Sequence, residues 1–320
     1  MNIKFPANLL CCVVLSASNY VFAQSYPSKP VRLLSYSGAA IETLMRVIGR
    51  EMQNGWGQPL IIENRPGANG IIAGEACAHA PADGHTLCMV DRTFLSLPQT
   101  ADQVPFDVYK DFAPVTNIVY PVLALAVHPS AGANSFGELI AAAKKRPGEL
   151  NLASLGWGTL PNLLRVWMQK EYGISTMQIP YKNPGALMGA MLAGETHFTY
   201  FGVANFTQHH ATGKLRVIAT SGAQRSPLLP EVPTMFEQGV SVDMRVWFGW
   251  FAPVGTTREV RERIHREVQR VVNSPDFREK NFTQQAMEVI GQGPDDFAAF
   301  IRKDAQTTAE LLKLLGAKPE

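Results

Sequence analysis

The sequence predicts an α/β protein built on mostly parallel sheets covered by helices, and three observations carry that prediction. Short apolar segments with strand character alternate with helical ones almost throughout the chain. Small-residue turns stand where strands run into helices. The chain has 320 residues, enough for two domains at about 100–200 residues each. Its composition, 46% hydrophobic and 18% charged, is that of a globular protein and sets aside both disorder and a membrane-embedded bundle.

The elements follow in order. Lys4, an apolar run from Leu9 to Leu15 and the small-residue site Val21-Phe22-Ala23 read as a secretory signal peptide over residues 1–23. Its apolar run is too short for the roughly 20 residues of a membrane span, and Leu10 before Cys11 is wrong for a lipid anchor. After it come strand Val31 to Ser35, helix Ile41 to Gln53, strand Leu60 to Glu63, helix Ile71 to His79 and strand Thr86 to Val90. Beyond a turn-rich stretch, Pro114 to Pro121, the rhythm resumes with strand Val122 to Val127, helix Phe136 to Lys144, strand Leu150 to Ser154 and helix Leu160 to Glu171. Strand Thr176 to Pro180, helix Gly185 to Ala193, strand His197 to Tyr200, helix Ala204 to Ala211 and strand Leu215 to Thr220 continue it. A Pro-rich connector, Ser226 to Thr234, leads on toward two packing helices. In the first, Val260, Ile264, Val268 and Val271 fall three or four residues apart behind a Thr256 or Thr257 cap; the second starts at Pro294. The Pro-rich connector and the Pro114 to Pro121 turn are the expected places for the chain to pass between domains.

Several function classes lose their sequence support. The net charge is +2 and bases are interleaved with acids, as in Arg258-Glu259-Val260-Arg261, whereas a nucleic-acid footprint needs a concentrated basic face. His209 and His210 are adjacent and diverge on a helix, and no metal-ligand spacing is present. Neither a nucleophile elbow nor a phosphate-binding P-loop occurs. Cys77 and Cys88, the cysteines left after export, are read either as a disulfide or as two buried thiols.

Two loops have the chemistry of carboxylate capture. Ser35-Tyr36-Ser37-Gly38-Ala39-Ala40 joins the first strand to its helix, and Ser154-Leu155-Gly156-Trp157-Gly158-Thr159 does the same in mid-chain, with Pro161 in the helix's first turn. Small residues let backbone N–H groups reach a ligand, and a helix start offers unpaired donors at the positive end of its dipole. Ligands of open α/β sheets bind at the carboxyl ends of the strands, so two such loops can close on one molecule. Gly67-Ala68-Asn69-Gly70 is read instead as a structural turn.

At these residues the sequence resembles the periplasmic receptors of tripartite tricarboxylate transporters, the Bordetella uptake gene (Bug) family. The resemblance runs over nearly the whole exported chain, through Tyr26-Pro27-Ser28-Lys29-Pro30, Glu63-Asn64-Arg65-Pro66-Gly67-Ala68, Asp83-Gly84-His85-Thr86-Leu87 and Lys110-Asp111-Phe112-Ala113-Pro114-Val115. Later it takes in Ile179-Pro180-Tyr181-Lys182, Gly213-Lys214-Leu215-Arg216, Arg225 to Thr234 and Trp247-Phe248-Gly249 with Ala252-Pro253. It implies two Rossmann-like lobes of the type II periplasmic binding protein kind, with a ligand cleft between them. Residues 24–122 with 223–320 would form the first lobe and residues 123–222 the second, hinged near 120–124 and 221–225. It further implies no catalysis, no cofactor, a monomer, and delivery of the ligand to a membrane permease. By position, Ser37, Gly38, Ala39 and Ala40 would grip the carboxylate from one side, and Ser154, Gly156, Gly158 and Thr159 from the other.

The departures from the family pattern shape the ligand expectation. The first loop is about two residues shorter than is usual and carries Ala39, Ala40 and Glu42. Phe201 stands where relatives often have an aspartate for an amino group, which argues against an amino-acid ligand. Trp157, Phe201, Tyr36 and Trp247 would form apolar walls for a benzoate- or terephthalate-like body, or they are core packing. Arg92 would take a second carboxylate in bidentate fashion, or pairs with Asp91 at the surface. A periplasmic enzyme, using a hydroxyl with His197 or Glu42, and a receptor serving a sensor domain are the alternatives on the same fold.

Overall fold

The computed structural model describes residues 26–316, apart from residues 38, 66, 68, 69 and 102. The expected signal peptide, residues 1–23, lies outside the described residues. In chain order the elements are β1 (Val31–Ser35), α1 (Ala39–Trp56), β2 (Leu60–Asn64), α2 (Ile71–Ala78), β3 (Thr86–Asp91), α3 (Arg92–Leu95), α4 (Leu97–Thr100), β4 (Phe112–Pro121) and β5 (Leu123–Val127). Then come α5 (Phe136–Lys145), β6 (Asn151–Ser154), α6 (Leu160–Tyr172), β7 (Met177–Pro180), α7 (Pro184–Ala193), β8 (Phe198–Gly202), α8 (Thr207–Ala211) and β9 (Arg216–Thr220). The chain ends with β10 (Phe248–Pro253), α9 (Arg258–Val272), α10 (Pro275–Asn281), β11 (Met287–Gln292) and α11 (Pro294–Leu315).

The strands form two sheets, ordered β11-β4-β10-β3-β1-β2 and β7-β6-β8-β5-β9. Both are mixed. β1, β2 and β3 are parallel, while β10 inserts antiparallel between β3 and β4, and β11 pairs antiparallel with β4. In the second sheet β6, β7 and β8 are parallel and β5 runs against β8 and β9. The reversed strands arise where the chain leaves one sheet for the other: β5 follows β4 after a single residue, Val122, and β10 follows the long return from β9.

The Pro114 to Pro121 stretch is a correction. The two prolines there suggested a turn, but Phe112–Pro121 is a ten-residue strand in the middle of the first sheet. The prolines are tolerated for positional reasons. Pro114 sits where the ladder with β10 shifts register and outside the stretch 117–121 that pairs with β11, and Pro121 is the strand's last residue.

Strand alternation places one set of side chains on each sheet face. On the first sheet, Leu33 and Trp250 pack with Met45, Ile48 and Val268 under α1 and α9, while Leu34 and Phe251 pack with Phe94, Trp247 and Phe297 on the opposite face. On the second, Leu125, Leu152 and Phe198 meet α5 and α6, and Ala124, Ala126 and Ala153 meet Leu187 and Met191 of α7. Three segments cross this division. Leu229, Val232, Met235, Val240 and Met244 are buried against the second sheet although the chain has already left β9, Ala286 before β11 joins the core of Ala124 and Met191, and α11 buries Phe297 and Ile301 in the first core but Leu311 and Leu312 in the second.

Cys77 on α2 and Cys88 on β3 are joined as a disulfide, with Cα atoms 5.9 Å apart. The bond closes a short loop, and the chain-entropy estimate for a loop of about a dozen residues is about 3 kcal/mol. Replacing both cysteines by serine is expected to lower the unfolding free energy by that order in a guanidinium titration. An unchanged midpoint would mean that the thiols are not bonded in the protein.

Candidate functional site

The loops after β1, β2 and β3 leave the first sheet at one edge because the three strands are parallel. The loop after β6 and the end of β8 likewise share an edge of the second sheet. Each of the two small-residue loops begins with a buried serine that folds the backbone back on itself. Ser35 Oγ accepts the Ser37 N–H at 3.3 Å, and Ser154 Oγ accepts the Gly156 N–H at 3.2 Å. Such local side-chain to backbone bonds set a turn without a helix or strand partner.

Around this shared turn the loops differ. In the first, Ser35 Oγ also lies 3.1 Å from Ser37 Oγ, and the Ser35 carbonyl accepts the Arg65 N–H at 2.7 Å. The chain then enters α1 at Ala39; Gly38 lies outside the described residues. In the second, Gln178 donates to Ser154 Oγ at 2.6 Å, the Thr159 hydroxyl donates to the Gly156 carbonyl at 2.7 Å, and Asn162 Nδ2 donates to the Trp157 carbonyl at 2.8 Å. Gly156 has φ +134°, a conformation that side chains disfavour. The Thr159 carbonyl takes the Asn162 and Leu163 N–H groups, so the first turn of α6 is tightly wound.

The profile of the family described as "Tripartite tricarboxylate transporter family receptor" matches residues 44–317. BugT of Bordetella pertussis is 31% identical over 306 residues, covering 93% of this chain and 93% of that protein. This chain belongs to the tripartite tricarboxylate transporter receptor family. Among solved structures, the periplasmic binding protein BugD superposes with a TM-score of 0.73 at 26% identity, covering 92% of this chain and 100% of that one. An R. palustris protein determined with adipate superposes with a TM-score of 0.78 at 25% identity, over 92% and 100% of the two chains. The family and fold are those of solute-binding receptors.

In this receptor Arg92 is placed differently from either expectation. It is buried, not paired with Asp91 at the surface, and its guanidinium is already taken by a carboxylate of the chain itself. Arg92 Nε lies 3.0 and 3.2 Å from the two oxygens of Asp304 on α11, its Nη2 makes the closest contact to the same group, and Nη1 donates to the Asp243 carbonyl at 3.1 Å. Burial opposes the charge, but Asp304 and then Asp243 hold the arginine above its ordinary pKa. A guanidinium so engaged has no free fork for a ligand's second carboxylate.

Of the four expected aromatic walls, Trp247 is core packing, while Tyr36 is half-buried like Trp157 and Phe201. Trp247 is wholly buried, donates Nε1 to Asp304 Oδ2 at 3.0 Å and stacks edge-on against Phe297 and Phe300. Tyr36 stacks on Phe94, covers Gly70, and donates its hydroxyl to Asp91 Oδ1 at 2.9 Å. Burial raises the pKa of both the Tyr36 hydroxyl and the Asp91 carboxyl. Trp157 and Phe201 are half-buried, Trp157 against the core under α6 and Phe201 against that under α7. Ser154 is fully buried beneath its loop, so it shapes the turn while Gly156, Gly158 and Thr159 remain half-exposed.

Of the candidate acid–base groups, His197 stands away from the two loops, and Glu42, in the first turn of α1, is engaged by its neighbours. His197 precedes β8, at the strand end opposite Phe201, where its Nδ1 accepts the Asn151 N–H at 3.1 Å. Glu42 is tied to Arg46 and accepts from Asn64 Nδ2 at 2.7 Å. No cluster of metal-ligating side chains occurs among the described residues.

Asp91, offered by the sequence only as a surface partner of Arg92, holds the first loop and α3 together instead. The same oxygen that receives the Tyr36 hydroxyl accepts the Phe94 N–H at 3.0 Å and caps α3. Its signal was available: an aspartate three residues before a helix-turn amide is an N-cap pattern.

Proposed function

We propose that this receptor is exported to the periplasm, captures a small apolar-bodied carboxylate in a cleft between its two lobes, and delivers it to the membrane permease of a tripartite tricarboxylate transporter. The observation that carries the reading is the paired serine turn. Two loops, one from each sheet, present small residues and a helix start at the carboxyl ends of parallel strands, in a chain of this receptor family. Backbone donors at a helix start favour an anionic oxygen without needing a basic side chain, which suits a site whose nearby arginine is already paired.

In this reading Ser37, Gly38, Ala39 and Ala40 receive the carboxylate from the first lobe, and Gly156, Gly158 and Thr159 from the second. Trp157 and Phe201 line the apolar part, where an aromatic ring of a benzoate- or terephthalate-like ligand gains from their faces. The first lobe comprises residues 24–122 with 223–320 and the second residues 123–222, with residues 229–244 and the end of α11 lying against the second. The protein works as a monomer, and residues 1–23 direct export.

The test is a thermal-shift screen of the mature protein against benzoate, terephthalate, the straight dicarboxylates from succinate to suberate, citrate and amino acids. A ligand bound only by the folded state at about a hundred times its Kd adds about 2.7 kcal/mol of stability. Aromatic carboxylates are expected to raise the melting temperature by several degrees. A response confined to aliphatic dicarboxylates would return Trp157 and Phe201 to packing, and no response to any carboxylate would refute the ligand class.

A further inference from the structure

The end of α4 is a first-lobe surface that meets the second loop. A β-carbon placed on Gly158 would lie 3.2 Å from Thr100 Cγ2 and 3.9 Å from Thr100 Cβ. The orientation of Thr100 is set by its own backbone: its hydroxyl donates to the Ser96 carbonyl at 3.0 Å, one turn back. With the hydroxyl held there, the methyl is the group presented to Gly158.

A continuous set of contacts joins this point to the first loop. The Tyr36 hydroxyl and the Phe94 N–H share Asp91 Oδ1, which fixes the start of α3 against the loop after β1. The Tyr109 hydroxyl donates to the Leu95 carbonyl at 2.9 Å and the Ser96 hydroxyl to the Thr93 carbonyl at 2.8 Å, which holds the junction of α3 and α4. The methyl-to-glycine contact is thereby tied, through these bonds, to the position of the first loop.

We propose that Thr100 is a size-determining residue of the cleft, the stop against which the second loop comes to rest. The inference depends on the reading of the cleft as a carboxylate site. Removing the methyl lets the lobes approach further and favours shorter ligands; enlarging the side chain holds them apart and favours longer ones.

Two measurements on the full mature protein test it. The first is a double variant, Thr100→Cys with Gly158→Cys. The 3.9 Å separation of the two β-carbon positions falls in the range of about 3.5–4.5 Å found across disulfides, so treatment with diamide is expected to join them, seen by peptide mapping without reductant. Failure to join would show that the two residues do not meet in solution and would overturn the stop. The second compares wild type, Thr100→Ser and Thr100→Leu across the dicarboxylates from succinate to suberate by calorimetry. The serine variant is expected to move the tightest-binding length down the series and the leucine variant up it, each with about a tenfold change, or about 1.4 kcal/mol, for the ligands at the ends. The same order of affinities in all three proteins would overturn the size role. A wild type that binds none of the series defeats the carboxylate reading and the size role with it, whereas the crosslink still reports whether Thr100 and Gly158 touch.

Discussion

Replacing Asp304 by alanine is expected to destabilise the protein by about 3–5 kcal/mol, the range for breaking a buried ion pair from one side. Arg92 and Asp304 are 6% and 5% exposed, so the abandoned guanidinium has little water to turn to, and the Trp247 indole N–H loses its acceptor as well. Against total stabilities of about 5–15 kcal/mol the loss is large, and a fall of roughly 5–8 °C in melting temperature follows for a chain of this size. The companion is the double substitution Arg92→Met with Asp304→Leu. Because a buried pair replaced by packed apolar groups is often close to neutral, the double variant should recover most of the loss. A single variant within about 1 kcal/mol of wild type by urea titration, a typical hydrogen bond's net worth, would show that water reaches the site.

The position of this pair explains why its expected effect is global. Asp304 stands midway along α11, between Phe297 and Ile301 in the first core and Leu311 and Leu312 in the second. Arg92 opens α3, the segment that continues to Thr100 at the cleft. The pair therefore ties the wall of the candidate site to the one helix among the described residues that buries apolar side chains in the cores of both sheets.

The alternating plan was legible because it depends on local chemistry. Val31 to Ser35 and Leu123 to Val127 are apolar runs of strand length, and α9 carries valines and an isoleucine at helical spacing behind its Thr257 cap. β4 was not legible, since a proline inside a central strand is accepted only where a neighbouring ladder is interrupted, and no sequence pattern reports where β11 stops pairing. β10 and β11 escaped for a related reason: each finds its partners only after the chain has returned from the second sheet.

For the site, the distinction runs between what a residue is and what it meets. Small residues after a strand marked both loops correctly as turns running into helices. That Ser154 is sealed beneath its loop, that Tyr36 reaches Asp91, and that Arg92 is claimed by an aspartate 212 positions away are outcomes of packing over long separations. An arginine beside an aspartate reads the same in sequence whether its partner is a ligand or the far end of the chain.

Substituting Gly156 by alanine is expected to weaken ligand affinity by up to about a hundredfold with little effect on the unliganded fold. At φ +134° a β-carbon introduces backbone strain of about 1–3 kcal/mol. The free loop is half-exposed, and no atom lies within 4 Å of where the new β-carbon would stand, so the unliganded variant can relax to another backbone conformation. If the proposed site is right, binding demands the original one, and the strain is expected to appear in Kd at about 1.4 kcal/mol per tenfold. Gly173 supplies the contrast. It caps the C-terminus of α6 with φ 66° and ψ 28°, far from the loop at the other end of the same helix. Gly173→Ala is expected to lower stability by about 1–2 kcal/mol, the left-handed penalty of an L-residue, and to leave affinity unchanged. Calorimetry and thermal unfolding of the two variants separate the cases: if Gly156→Ala loses stability but binds as wild type does, the second loop is a structural turn and the carboxylate is held elsewhere.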